Sequence, residues 1–161
     1  MGTLPGHRFD LRIYYEDTDH GGVVYYANYL KYMERARTEF MRSYGIELDQ
    51  LQRDNQVLFA VTEAHVHYRR PARFNDALSV TSSLSYAKGA RLAFHQTVFR
   101  VNASREKDSC EKDSYEKELL VEGDIHLACI DIEGRARRIP QAVLTLFAQV
   151  LNQAAPQGMK P

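Results

Sequence analysis

Within YYEDTDHGGVVYYANYLKYMERAR, residues 14–37, the ionisable side chains Glu16, Asp17, Asp19 and His20 crowd against Gly21-Gly22 just ahead of a helical pattern. A helix start leaves backbone N–H groups unpaired and carries partial positive charge, so an anion placed there is favoured. The plain role for such acids is capping and turn formation. Yet Asp17 and Asp19 precede the first clearly helical position by several residues, and the glycine pair strips side chains from the backbone where a substrate would approach. That combination suits hydrolysis of an acyl bond. N–H groups at the helix start would hold the developing oxyanion while a carboxylate attacks the carbonyl or activates water, with no metal or serine required.

Other constellations are weaker. Glu63, His65 and His67 alternate along a strand and so share a face, as zinc or iron ligands would, but a metal also wants a ligand from elsewhere. A polar sheet face or a subunit contact explains the same spacing, and no metal is assigned. GxSxG, HExxH and GxxxxGK[ST] are all absent. Cys129 sits inside an apolar strand and reads as core, while His20 either assists Asp19 or is an exposed turn residue. Tyr25, Tyr26, Tyr29 and Tyr32 divide between core packing and the lining of a pocket.

The elements that must position these residues follow from periodicity. Residues 8–15 alternate apolar and polar, the mark of a half-buried strand. Tyr29, Leu30, Met33, Ala36, Phe40, Met41 and Tyr44 then recur at helical spacing, with Lys31, Glu34, Arg35, Thr38 and Arg42 between them and Gly45 as the stop. A polar stretch to Gln56 precedes strands over 58–68, 77–86, 91–101 and 119–132, rich in β-branched and aromatic residues. Pro71 shapes one connection and Asn75-Asp76 closes it. Pro140, at the first helical position, opens a last helix carrying Val143, Leu144, Phe147, Val150 and Leu151. The order predicts an α+β fold, an antiparallel sheet with a helix against one face.

A chain of 161 residues is long enough for one hydrophobic core, and it reads as a single domain over residues 1–161. Residues 1–7 and 153–161 read as flexible tails, and 103–117 as a charged hairpin insertion. Lysines and arginines number 21, as do aspartates and glutamates, so the overall charge gives no reason to bind nucleic acid or an acidic membrane. Cys110 and Cys129 lack CxxC spacing and read as free thiols. With neither a signal-peptide pattern nor an apolar run long enough to span a bilayer, the chain reads as cytoplasmic.

Three blocks, YYEDTDHGGVVYYANYLKYMERARTEF, HYRRPARFNDAL and SYAKGARLAFHQTVF, resemble the hotdog-fold acyl-CoA thioesterases of the 4-hydroxybenzoyl-CoA thioesterase and YbgC type. The likeness spans roughly residues 8–150. It implies a hotdog fold, a long helix wrapped by a curved antiparallel sheet, paired with a second copy into a continuous sheet and commonly into a homotetramer. It also implies acyl-CoA as substrate, no cofactor, and Asp19 as the acid that attacks the thioester or activates water. By the same resemblance Gly22 to Tyr26 fall at the helix start, where the Tyr26 backbone N–H polarises the carbonyl. Relatives carry histidine or tyrosine at that position, and a backbone contact survives the change. Tyr25 is assigned to the substrate pocket, and Lys88 and Arg91 of the KGAR turn to the CoA phosphates. Two other readings remain: a non-catalytic scaffold holding an acyl carrier protein or a cell-envelope partner, and a hotdog enoyl-thioester hydratase.

Overall fold

The alternating stretch near the N-terminus becomes an edge of the sheet in the computed structural model, which describes residues 6–102 and 116–154. Strand β1 (His7–Arg12) leads through a short 3-10 turn (Tyr15–Asp17) and a loop into helix α1 (Asn28–Ser43). Then come α2 (Leu48–Asn55), β2 (Leu58–Tyr68), β3 (Ala77–Lys88), β4 (Arg91–Asn102), β5 (Glu116–Ile130) and α3 (Gln141–Ala154). The five strands form one sheet in the order β1-β3-β4-β5-β2, every neighbouring pair antiparallel. Its two edges are therefore β1 and β2.

Helix α1 lies across the inner face because its apolar residues return every three or four positions. Tyr29, Tyr32, Met33, Ala36, Arg37, Phe40 and Met41 are buried. Leu30, expected on that face, is instead exposed, and the charged Arg37 is buried in the company of Phe40 and Met41. The helix ends as Gly45 predicts: Gly45, at φ 76°, donates to Arg42 and the next N–H, from Ile46, to Met41. This paired closure satisfies carbonyls that the last turn would otherwise leave open. Beneath the middle of α1 lies Gly123 of β5, where a Cβ would stand 3.0 Å from the His65 carbonyl oxygen and 3.6 Å from Met33 Cε. A side chain there would force the sheet and the helix apart.

Four expected boundaries change. The polar stretch before Gln56 forms α2, held on the core by Leu51 and closed by Gln56 in the left-handed region. Strand β5 begins at Glu116, so 116–117 pair with β4 rather than belonging to the insertion; residues 103–115 lie outside the described residues. Helix α3 starts at Gln141, with Pro140 supplying only the carbonyl that accepts from Leu144, and it runs to Ala154. At the other end His7 belongs to β1 and not to a tail. Phe147 anchors α3 on the sheet, and among the described residues no helix is long and apolar enough to cross a membrane.

Candidate active site

Between β1 and α1 the chain doubles back on itself. Thr18 and Val24 form an antiparallel bridge, Asp19 N–H donates to the Val23 carbonyl at 2.9 Å, and Gly22 N–H donates to the Asp19 carbonyl at 3.0 Å. Gly22 turns the corner at φ 74°, a region that suits glycine because other residues meet their own Cβ there. Tyr25 N–H donates to Asp17 O at 2.9 Å, and so does Asn28 Nδ2 at 2.9 Å, lashing the first residue of α1 to the incoming arm of the turn.

The acids take different parts in this turn. Asp17 Oδ2 accepts from Tyr14 N–H at 2.8 Å and shapes the 3-10 segment. Asp19 Oδ1 accepts from Gly21 N–H at 2.8 Å, while Oδ2 has no hydrogen bond among the described residues and the side chain is exposed. Neither acid caps α1, whose N-cap is Ala27 with no side-chain bond. Among the described residues no hydrogen bond is donated by the N–H groups of Tyr26 and Ala27, which stand at the positive end of the helix. A solvated carboxylate and unused N–H donors thus share one turn, the pairing that addition to a carbonyl needs.

Beside them lies a pocket of about 230 Å³ lined by Val24, Tyr26, Tyr29, Tyr68, Arg69, Arg70 and Pro71. The tyrosines part company here. Tyr29 and Tyr32 are core, whereas Tyr25 and Tyr26 are exposed, their rings tilted against each other with centroids 4.8 Å apart. The Tyr29 hydroxyl oxygen accepts from Ala72 N–H at 2.8 Å. Burial pushes its phenol pKa up. Tyr32 is raised further, first by burial and then by the neighbouring Asp17 carboxylate, so both phenols stay neutral through the physiological range.

Two positioning residues were not singled out from sequence. Tyr68, at the end of β2, donates its hydroxyl to the Tyr26 carbonyl at 3.1 Å, and Asn28 holds Asp17 as above. An asparagine at a helix start was the visible signal for the second; nothing local marked Tyr68. Lys88 and Arg91, in contrast, are not brought near Asp19 within one chain. They flank the Gly89-Ala90 tip of the β3–β4 hairpin, where Arg91 sits opposite Ala128 of β5. The Asp19 turn is tied to the other end of β5, since Arg69 and Arg70, next to Tyr68, donate to Leu120 O. Eight residues of strand at about 3.3 Å each separate the two ends by roughly 25 Å. Glu63 and His65 form a pair at 2.7 Å on exposed β2, and no group of potential metal ligands assembles among the described residues. Cys129 is fully buried, and burial raises its thiol pKa.

The chain belongs to the thioesterase-like superfamily, whose family model matches residues 14–147. It is a hotdog-fold thioester hydrolase. It is 35% identical over 143 residues to the acyl-CoA thioester hydrolase YbgC of Escherichia coli O6:H1, covering 88% of this chain and 96% of that one. The acyl-CoA thioesterase YbgC of Haemophilus influenzae is 35% identical over 127 residues, 79% of this chain and 82% of that protein. A solved structure of a probable thioesterase from Bartonella henselae superposes with a TM-score of 0.71 at 30% identity, covering 84% of this chain and 99% of the other.

Proposed function

We propose that the protein hydrolyses acyl-CoA thioesters to the free acid and CoA. The observation that carries the reading is the turn itself: an exposed Asp19 carboxylate with one unengaged oxygen, on the same backbone turn as the undonated Tyr26 N–H. Asp19 either takes a proton from the water that adds to the thioester carbon, or adds to it itself, giving a mixed anhydride that water then cleaves to release the acid and restore the carboxylate. The carbonyl oxygen gathers negative charge against the Tyr26 N–H, the C–S bond breaks, and the thiolate leaves with a proton as CoA thiol. Gly22 keeps the approach to this turn open, and Tyr25 and Tyr26 flank the incoming acyl group. The names of the YbgC relatives support CoA as the thiol.

The same reading takes the active unit to be a pair of chains. Edge strand β2 carries unpaired backbone groups along its outer side, and antiparallel pairing with a second β2 is a self-complementary two-fold arrangement. It would set the Leu58 end of one β2 against the Tyr68 end of the other. Leu58 pairs with Ile130 of β5, two strand spacings, or about 10 Å, from the Arg91 hairpin. Lys88 and Arg91 of one copy would then approach the Asp19 turn of its partner, in place to hold CoA phosphates. Cations on an exposed tip need only sign and reach for that task.

The test is thiol release from a panel of acyl-CoAs by the parent and by Asp19→Asn, which keeps shape and removes charge. Loss of a carboxylate acting as base or nucleophile should lower kcat by about 100-fold or more with an unchanged melting temperature. An asparagine variant as fast as the parent overturns the mechanism. Single-turnover hydrolysis in heavy-oxygen water separates the two roles, since only a covalent anhydride route leaves label in the Asp19 carboxylate.

A further inference from the structure

Both arms of the Asp19 turn rest on the loop between β2 and β3. On the incoming side Ile13 N–H donates to Asp76 O at 3.0 Å, and Asn75 N–H donates to Ile13 O at 3.0 Å. On the outgoing side Val24 N–H donates to Ala72 O at 2.8 Å. Residues 71–76 therefore set how far apart the two arms stand, and Val24 comes only just before Tyr26 in the chain. Asn75 adopts φ 70°, a left-handed conformation that the contacts around it must hold.

One guanidinium grips both ends of that loop. Arg100 of β4, its side chain 21% exposed, donates from Nη2 to Pro71 O at 2.7 Å and from Nε to Asp76 Oδ2 at 2.9 Å, while Nη1 is paired with Glu118 of β5. Asp76 Oδ2 also accepts from Arg73 N–H at 2.8 Å and so closes the far end of the loop. The Pro71 carbonyl and the Ala72 N–H are the two ends of one planar peptide unit. Arg100 holds its oxygen, and the Tyr29 hydroxyl on α1 accepts from its N–H at 2.8 Å. That unit is pinned from β4 on one side and from α1 on the other, and the Ala72 carbonyl that carries Val24 is the next group along the chain. Arginine suits the task because its planar fork offers donors in fixed directions, where the ammonium of lysine is a single point charge. The charge is answered too: Glu118 takes a second guanidinium from Arg70, which sets two cations against the carboxylates of Asp76 and Glu118.

We propose that Arg100 is a positioning residue for the reaction at Asp19: by holding both ends of loop 71–76 it fixes the spacing of the two arms, and with it the place of the Tyr26 N–H relative to the Asp19 carboxylate. Its own side chain does not line the pocket beside the turn, so it acts through the loop. The assignment rests on the thioesterase reading of that turn. A shift of about 1 Å in groups aligned for reaction costs up to about 100-fold in rate, whereas loss of a contact made equally to substrate and transition state raises KM alone. Loss of Arg100 should therefore appear in kcat.

The test compares thiol release from acyl-CoA by the parent, Arg100→Met, Arg100→Lys and Leu51→Ala. Arg100→Met should lower kcat at least about tenfold with KM within about twofold. Arg100→Lys, which keeps the charge and loses the fork, should fall between that variant and the parent. Leu51→Ala empties a core position on α2, lowers Tm without touching the loop, and should keep the parent's kcat. Hydrogen exchange adds a readout independent of turnover. The Val24 amide, bonded to Ala72 O, should exchange at least about tenfold faster in Arg100→Met, with the amides of the β4–β5 ladder little changed. A kcat within about twofold of the parent in Arg100→Met overturns the proposal. So does an equal kcat loss in Leu51→Ala, or a rise in exchange shared equally by Val24 and the ladder, since either would make Arg100 a source of stability alone. Where Arg100→Met does not fold, Arg100→Lys decides, and the parent's kcat together with the parent's Val24 exchange in that variant overturns the proposal. A parent that releases no thiol would strike the reading of the reaction instead, and the Val24 amide would still show whether Arg100 holds the turn.

Discussion

Replacing Gln96 by leucine tests whether the helix that begins at the Asp19 turn is held to the sheet by the polar knot beneath it. Gln96 on β4 joins three partners from different elements: Arg37 and Met33 O on α1, and Ser82 on β3. Leucine matches its bulk, so the loss is almost wholly in hydrogen bonds. The bond from a charged donor is worth about 1.5–3 kcal/mol and the two neutral ones about 1 each, and all of them lie where water does not replace them. The expected destabilisation is therefore about 3–5 kcal/mol, or roughly 8–15 °C in Tm for a chain of this size. With tryptophan absent, circular dichroism in urea is the suitable measurement. Arg37→Met on the Gln96→Leu background removes the stranded cation, and the double variant should recover about 1–3 kcal/mol relative to the sum of the single losses. Gln96→Leu within about 1 kcal/mol of the parent, or strict additivity in the double variant, would refute the account of Arg37 as a charge answered from behind by one amide.

Two further outcomes follow from single contacts. Tyr68→Phe removes the hydroxyl that steadies the Tyr26 carbonyl, and a half-exposed bond worth at most about 1 kcal/mol predicts a kcat lower by about two- to fivefold with Tm nearly unchanged; an unaltered kcat would remove Tyr68 from the positioning set. Glu118 is held below its usual 4.5, first by its hydrogen bond from Arg70 and then by Arg100. A carboxylate lowered on folding adds stability above its unfolded pKa and loses it as pH falls through the folded value. The urea midpoint should thus fall below about pH 4.5 more steeply in the parent than in Glu118→Gln, and parallel curves would show that the pair contributes nothing.

Much of this architecture was written locally. The spacing of Met33, Ala36, Phe40 and Met41 names the buried face of α1, and Gly45 names its end, because both depend on residues a few positions apart. The bounds of β2 likewise follow from a run of β-branched and aromatic residues. Helix α2 was obscured because its single buried anchor, Leu51, gives no periodicity to read among seven polar or half-exposed neighbours. The burial of Arg37 was hidden for a different reason. Charge predicts exposure, and only a glutamine arriving from a strand distant in sequence makes the inside tolerable for it.

The site divides along the same line. Asp19, Gly22 and Tyr26 are neighbours in sequence, so the turn that joins them was legible; Tyr68 and the hairpin cations reach it, or fail to, through the order of strands, which no local pattern encodes. That order has a consequence for how a long substrate is held. Since β5 separates the Asp19 turn from Arg91 by most of its length, a ligand touching both within one chain would have to run along the sheet for roughly 25 Å. A parallel partner at the β2 edge would repeat that separation. Only an antiparallel partner exchanges the two ends, and it does so at both sites at once. If Lys88 and Arg91 serve the substrate at all, an Asp19→Asn chain mixed with a Lys88→Ala/Arg91→Ala chain should regain one sound site per pair, with KM near the parent's. Mixed chains no better than the average of the two pure variants would confine each site to its own chain and take the hairpin out of CoA binding.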